Sequence, residues 1–170
     1  MSIGELISMT EKHGLMKLPY EYNALTPHIS RKVMEWHHDV HHQGYVDGWN
    51  SAEERLEDQR EQDDYSSTGS ILRDFTHNHS GTVLHNLFWK NMSPNGGGRP
   101  GGELLEKIEE DFGSYENWRE EFKAAASSAS GWALLVYMPM EDELHNVVVD
   151  KHDEHAVWGA HPVLAVDVWE

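Results

Sequence analysis

The chain contains no cysteine. Disulfides, thiolate zinc sites, iron–sulfur clusters and thiol nucleophiles are therefore excluded together. It also lacks any uninterrupted apolar run of about eighteen residues, which excludes a helical membrane span. Basic side chains are scarce: 13 Lys and Arg stand against 30 Asp and Glu, for a formal charge of -17. A nucleic-acid binder needs the opposite sign, so neither nucleic acid nor membrane is an expected partner. The segment 1–17, MSIGELISMTEKHGLMK, has no basic start followed by an apolar run. No secretory signal is expected there, and nothing points outside the cytoplasm.

What the chain does have is histidine, 13 in 170 residues. Without thiols, a transition metal must be held by imidazole and carboxylate, a ligand set that suits Mn, Fe and Zn. The acidic excess favours solubility but repels itself at low ionic strength. Salt screens that repulsion, so adaptation to a salty cytoplasm is one expectation and an ordinary acidic protein the other.

The strongest break in the sequence is MSPNGGGRPGG (92–102), which neither a helix nor a central strand accommodates. It predicts two units, 1–94 and 95–170. In the first, Ser30 to Trp49 reads as a helix with Ser30 as N-cap. The charged stretch 51–64 reads as a solvated extension or a loop, and Thr68 to Asn91 as a second long helix. Together these form an antiparallel helical hairpin. In the second unit, 101–111 and 114–130 read as helices, the latter capped by Ser114. WALLVYM (132–138), LHNVVV (144–149) and VLAVDV (163–168) read as strands, the first two joined as a hairpin. The expected class is α+β: a helical hairpin followed by an α/β unit with a small three-stranded antiparallel sheet.

Residues 36–49 read WHHDVHHQGYVDGW. At about 100° per residue, His37, His41 and Tyr45 form one column on a helix and His38 and His42 another. On the second helix Gly81, His85 and Trp89 follow at steps of four, so His85 can face His37 with space left beside Gly81. Asp167 sits in an apolar strand, where a carboxylate is costly unless paired or metal-bound. Two imidazoles and one carboxylate with open positions suit Fe or Mn. The competing readings are a surface HH pair, an exposed Asp167 near the chain end, and Tyr45 as a core aromatic. Trp36, Trp49, Trp89, Trp132, Trp158 and Trp169 are core by default.

Over nearly its whole length the chain resembles the iron/manganese superoxide dismutases. The matching segments are LPYEYNALTPHIS (18–30), HHDVHHQGYVDGWN (37–50), LHNLFWKNMSP (84–94), FGSYENWREEFKAAA (112–126), SGWALLVY (130–137) and HPVLAVDVWE (161–170). The resemblance implies that His37, His85 and Asp167 are metal ligands and that His41 and Tyr45 line the substrate channel. It implies that Trp132 and Trp169 pack around the metal and that Glu170 reaches toward a partner subunit. Relatives hydrogen-bond the metal-bound solvent from a Gln at one of two places. Here Gly81 occupies the first and His152 the second, so His152 resembles the solvent partner. The implied reaction is the disproportionation of superoxide to dioxygen and hydrogen peroxide by one Mn or Fe, in a homodimer or homotetramer. The family motif continues past D-x-W-E to a His that is its fourth protein ligand, and this sequence stops at Glu170. Two readings follow: a partial record of a normal enzyme, or a truncated, catalytically inactive metal-binding or structural fragment. Thr82 also departs from relatives that carry His there.

Overall fold

The computed structural model describes residues 12–169. Glu170 and most of the segment 1–17 lie outside the described residues, and so do the expectations attached to them.

The first unit is a hairpin of two long helices. Ser30 opens the first by accepting a hydrogen bond from Val33 N–H at 3.3 Å. Helix α1 (Arg31–Trp36) passes into a π-helical turn (His37–His42) and continues without a break as α2 (Gln43–Gln62). The charged 51–64 stretch is thus mostly helical, its last turn closed by Asp63 in a left-handed conformation (φ 51°). Helix α3 (Thr68–Asn91) returns antiparallel and packs along α2. The segment before α1 folds over one end of the hairpin, where Leu25 joins Met34 and Trp89 in a small core.

Beyond the glycine-rich connection come α4 (Gly102–Phe112), α5 (Tyr115–Ser128) and three strands, β1 (Trp132–Met138), β2 (Glu143–Val149) and β3 (His161–Asp167). Ser114 Oγ accepts from Asn117 N–H at 3.1 Å, which caps α5. The sheet is antiparallel with order β2-β1-β3, so β1 is central. Side chains alternate along it. Trp132, Leu134 and Val136 share a core with Leu84 of α3, while Ala133 and Leu135 pack with Ile108, Trp118 and Phe122 of α4 and α5. Because β1 is covered on both faces, its sequence is continuously apolar rather than alternating. Pro162 sits on edge strand β3, where a missing N–H is tolerated, beside a register shift at Leu135/Val136.

Asn91 ties the sheet to the hairpin. Asn91 Oδ1, at the end of α3, accepts from Ala165 N–H at 2.8 Å. The register then sets Asp167 opposite Trp132, on the same face as Ala165 and toward α3. Gly131, just before β1, lies tight against the end of β2. A Cβ there would stand 2.6 Å from the Val149 carbonyl oxygen and 2.7 Å from that of Lys151. Backbone atoms cannot swing away, so Gly131→Ala is expected to cost about 3 kcal/mol, read as a lowered midpoint in urea.

Three tryptophans are not core. Trp36 is 66% exposed on the outer face of α1 under Lys32, Trp158 is 99% exposed on the β2–β3 connection, and Trp169 is half exposed past β3. Each lies on a surface that no described element covers. No helix among the described residues is long and apolar enough to cross a membrane.

Candidate metal centre

The π-turn decides what the histidine-rich helix presents. The Gln43 N–H reaches the His38 carbonyl five residues back, which widens the helix there. Rotation per residue falls below the α-helical value, and the two predicted columns merge onto the inner arc. His37, His38 and His42 are all buried and His41 is half-buried. A uniform 100° step had separated these pairs, and the π-turn corrects it.

From α3, His85 enters fully buried. Its Nδ1–H donates to the Gly81 carbonyl one turn earlier at 2.7 Å. That bond leaves Nε2 as the basic nitrogen, and Nε2 has no hydrogen-bond partner among the described residues. From the sheet comes Asp167, with a side chain only 4% exposed. Its Oδ2 is 3.2 Å from His37 Nε2 and 3.8 Å from His85 Nε2. Two donor atoms each about 2.1 Å from one ion sit about 3–4 Å apart, so these three fit a single ion. Nitrogens of His37, His41 and His85 also lie within 4.8 Å of one another. His41 Nε2, however, is 3.3 Å from the Tyr45 hydroxyl, which ties it to that phenol rather than to the shared point.

Indoles fix the surrounding imidazoles. Trp89 Nε1–H donates to His42 Nδ1 at 3.0 Å, and Trp132 Nε1–H donates to His152 Nδ1 at 2.9 Å. An indole only donates, so neutral His42 and His152 carry their proton on Nε2. His152 Nε2 is buried and has no partner among the described protein atoms. The ring lies 4.5 Å from Tyr45 and 5.8 Å from His85, centroid to centroid. Its fit depends on Gly81: a Cβ there would lie 2.9 Å from Tyr45 Cγ and 3.2 Å from His152 Cδ2. Trp132 stands edge-on to His85 at 5.0 Å, as expected for a wall of the site, whereas Trp169 stacks more distantly on His152 at 6.1 Å.

Burial pushes the pKa of His42 and of His152 down to about 4 and that of His85 down to about 2. All three therefore stay neutral near pH 7. Their unfolded forms protonate near 6.5, so on acidification the unfolded chain takes up protons first. The metal-stripped protein is expected to lose stability as pH falls below 6.5, with the His42 and His152 share of the loss complete near 4. A melting temperature unchanged across that window contradicts this.

The six residues picked out by sequence, His37, His41, Tyr45, His85, His152 and Asp167, thus stand around one buried point. Sequence reasoning missed His77, which stands one turn before Gly81 on the same helical column. The i, i+4 step from His85 to Gly81, extended once more, was the available signal.

An α-hairpin closed on a small antiparallel sheet, with imidazoles from two helices and a carboxylate from an edge strand at the seam, defines a mononuclear metalloprotein. Family models for the iron/manganese superoxide dismutases match the chain twice, the alpha-hairpin domain over residues 12–93 and the C-terminal domain over 100–170. The chain belongs to that family. It is 63% identical to superoxide dismutase [Mn] 2 of Haloferax volcanii over 158 residues, covering 93% of this chain and 79% of the relative. It is 62% identical to superoxide dismutase [Mn] 1 of Halobacterium salinarum over 159 residues, with 94% and 80% covered. It is 44% identical to superoxide dismutase [Fe] of Pyrobaculum aerophilum over 165 residues, with 95% and 78% covered.

Proposed function

We infer that this chain is a superoxide dismutase using one Mn or Fe held by His37, His85 and Asp167. The observation that carries the reading is the approach of Asp167 Oδ2 to both His37 Nε2 and His85 Nε2 at 3.2 and 3.8 Å. When bound, such an ion supplies two accessible oxidation states, taking an electron from one superoxide and giving it to a second, which Zn does not do.

The protein's share is selection, orientation and protons. The Gly81 carbonyl fixes the His85 tautomer and aims Nε2 inward, as a metal-ligating imidazole requires. Trp132 does the converse for His152, leaving an N–H donor for solvent at the site. The Tyr45 hydroxyl and His41 Nε2, 3.3 Å apart, are the titratable pair that moves protons between substrate and water. Two superoxides and two protons give one dioxygen and one hydrogen peroxide. The net charge of -17 repels an anionic substrate, so capture depends on the local field of the channel. Assembly as a homodimer or homotetramer is part of the proposal. It is supported by exposed apolar side chains on the ligand helix, Val33, Trp36 and Val40.

Metal analysis joined to pulse-radiolysis decay of superoxide tests the reading. The expected result is stoichiometric Mn or Fe and catalytic decay. Protein that loads either ion yet leaves superoxide to its uncatalysed decay contradicts it.

A further inference from the structure

The reaction consumes two protons, yet the inner groups are closed off. His85 is fully buried, His152 nearly so, and the Nδ1 of His152 is committed to Trp132. A titratable side chain outside the site packs against both His152 and Tyr45. His77, on α3, places its ring 4.8 Å from His152 and 5.8 Å from Tyr45. Its Nδ1 is 3.6 Å from Asp153 Oδ1, the neighbour of His152 in sequence, and its side chain is 37% exposed. His77, Gly81 and His85 stand at i, i+4 and i+8, so they share a helical face. The missing side chain at Gly81 is what opens the space between the outer and inner imidazoles, because a Cβ there would press on both Tyr45 and His152.

We propose that His77, paired with Asp153, is a positioning residue for His152 and Tyr45 and the solvent end of their proton path. It holds the β2–β3 connection against α3 and passes protons from bulk water inward, through water where the rings do not touch. The neighbouring charges on α3 are engaged elsewhere: Arg73 donates to the Gly69 carbonyl and Asp74 accepts from Arg55. Asp153 is therefore the anion that faces His77. The inference rests on the dismutase reading.

His77→Gln keeps a polar side chain but carries no proton. With full metal content, its kcat at saturating superoxide is expected to fall about tenfold while kcat/KM changes little, and free imidazole is expected to restore it. A second readout does not depend on turnover. In the full chain labelled with 15N-histidine and stripped of metal, exchange of the His152 Nε2 proton with water is expected to slow about tenfold. Asp153→Asn, tested alongside, is expected to lower kcat in the same sense and guards against a folding defect at position 77. Wild-type kcat in both variants, or a loss that imidazole does not restore with exchange unchanged, overturns the proposal. If the unmodified chain fails to remove superoxide, the dismutase reading falls, and proton exchange alone then decides the role of His77.

Discussion

Replacing His85 with alanine is expected to cost the protein its metal, and with it superoxide removal. Outer hydrogen-bond partners of metal ligands are worth about 10–100-fold in affinity or activity, so loss of a ligand itself should exceed about a hundredfold. The geometry makes His85 hard to replace. It is fully buried, its Nδ1 is held by the Gly81 carbonyl, and the Asp167 carboxylate lies across the site from it. His42 stacks on it at 5.2 Å, but its Nδ1 is occupied by Trp89, so it is not free to turn in as a substitute. Removing the ring also leaves a cavity against Trp132, so some stability is lost as well. Metal content and superoxide decay, measured on the same sample, check the result. A variant that keeps stoichiometric metal and activity contradicts the ligand set.

Gly81→Ala is expected to show the second large effect, from the smallest possible side chain. The added methyl would stand 2.9 Å from Tyr45 Cγ and 3.0 Å from Cδ1, closer than carbon atoms tolerate. Alanine favours the helix intrinsically by about 1 kcal/mol. Overpacking against a ring fixed between helices costs about 1–3 kcal/mol and wins or at least cancels that gain. The functional loss exceeds the loss of stability, because the atoms that move are Tyr45 and His152, the phenol and the proposed solvent donor. Activity should drop about 10–100-fold with metal retained. An alanine variant that is more stable and fully active shows that the two rings yield without consequence.

Much of this site could be read from the residues before any coordinates. His85 was legible because α3 follows a simple four-residue step, and His37 because it opens the dense run HHDVHH. Asp167 was legible because a carboxylate in VLAVDV needs a reason to be there. The sheet was legible because strand β1, covered on both faces, is continuously apolar. The π-turn was not. It comes with the packing of His37, His38 and His42 against Trp89 and of His38 against Tyr22, and no local propensity announces it. The consequence was a wrong angle between the His37 and His38 columns. Trp36, Trp158 and Trp169 were misplaced for a different reason. Composition assigns large aromatics to the core, whereas their exposure depends on which faces the described elements leave open. His77 was passed over although the four-residue step reached it, because its contacts with a loop seventy-five positions away have no sequence signature.

If the acidic surface is an adaptation to salt, stability is expected to fall on desalting, and a melting temperature indifferent to salt contradicts it. The surface carboxylates repel one another until counterions screen them.

The claim on which the rest depends is that side chains from the ligand helix, from α3 and from the edge strand hold one redox-active ion. Anomalous diffraction from crystals of the loaded protein, recorded at the Mn and Fe absorption edges, tests it most directly. The account predicts a single peak per chain within about 2.5 Å of His37 Nε2, His85 Nε2 and an Asp167 carboxylate oxygen. A peak centred elsewhere, or one bound through His41 with Asp167 turned away, would contradict it.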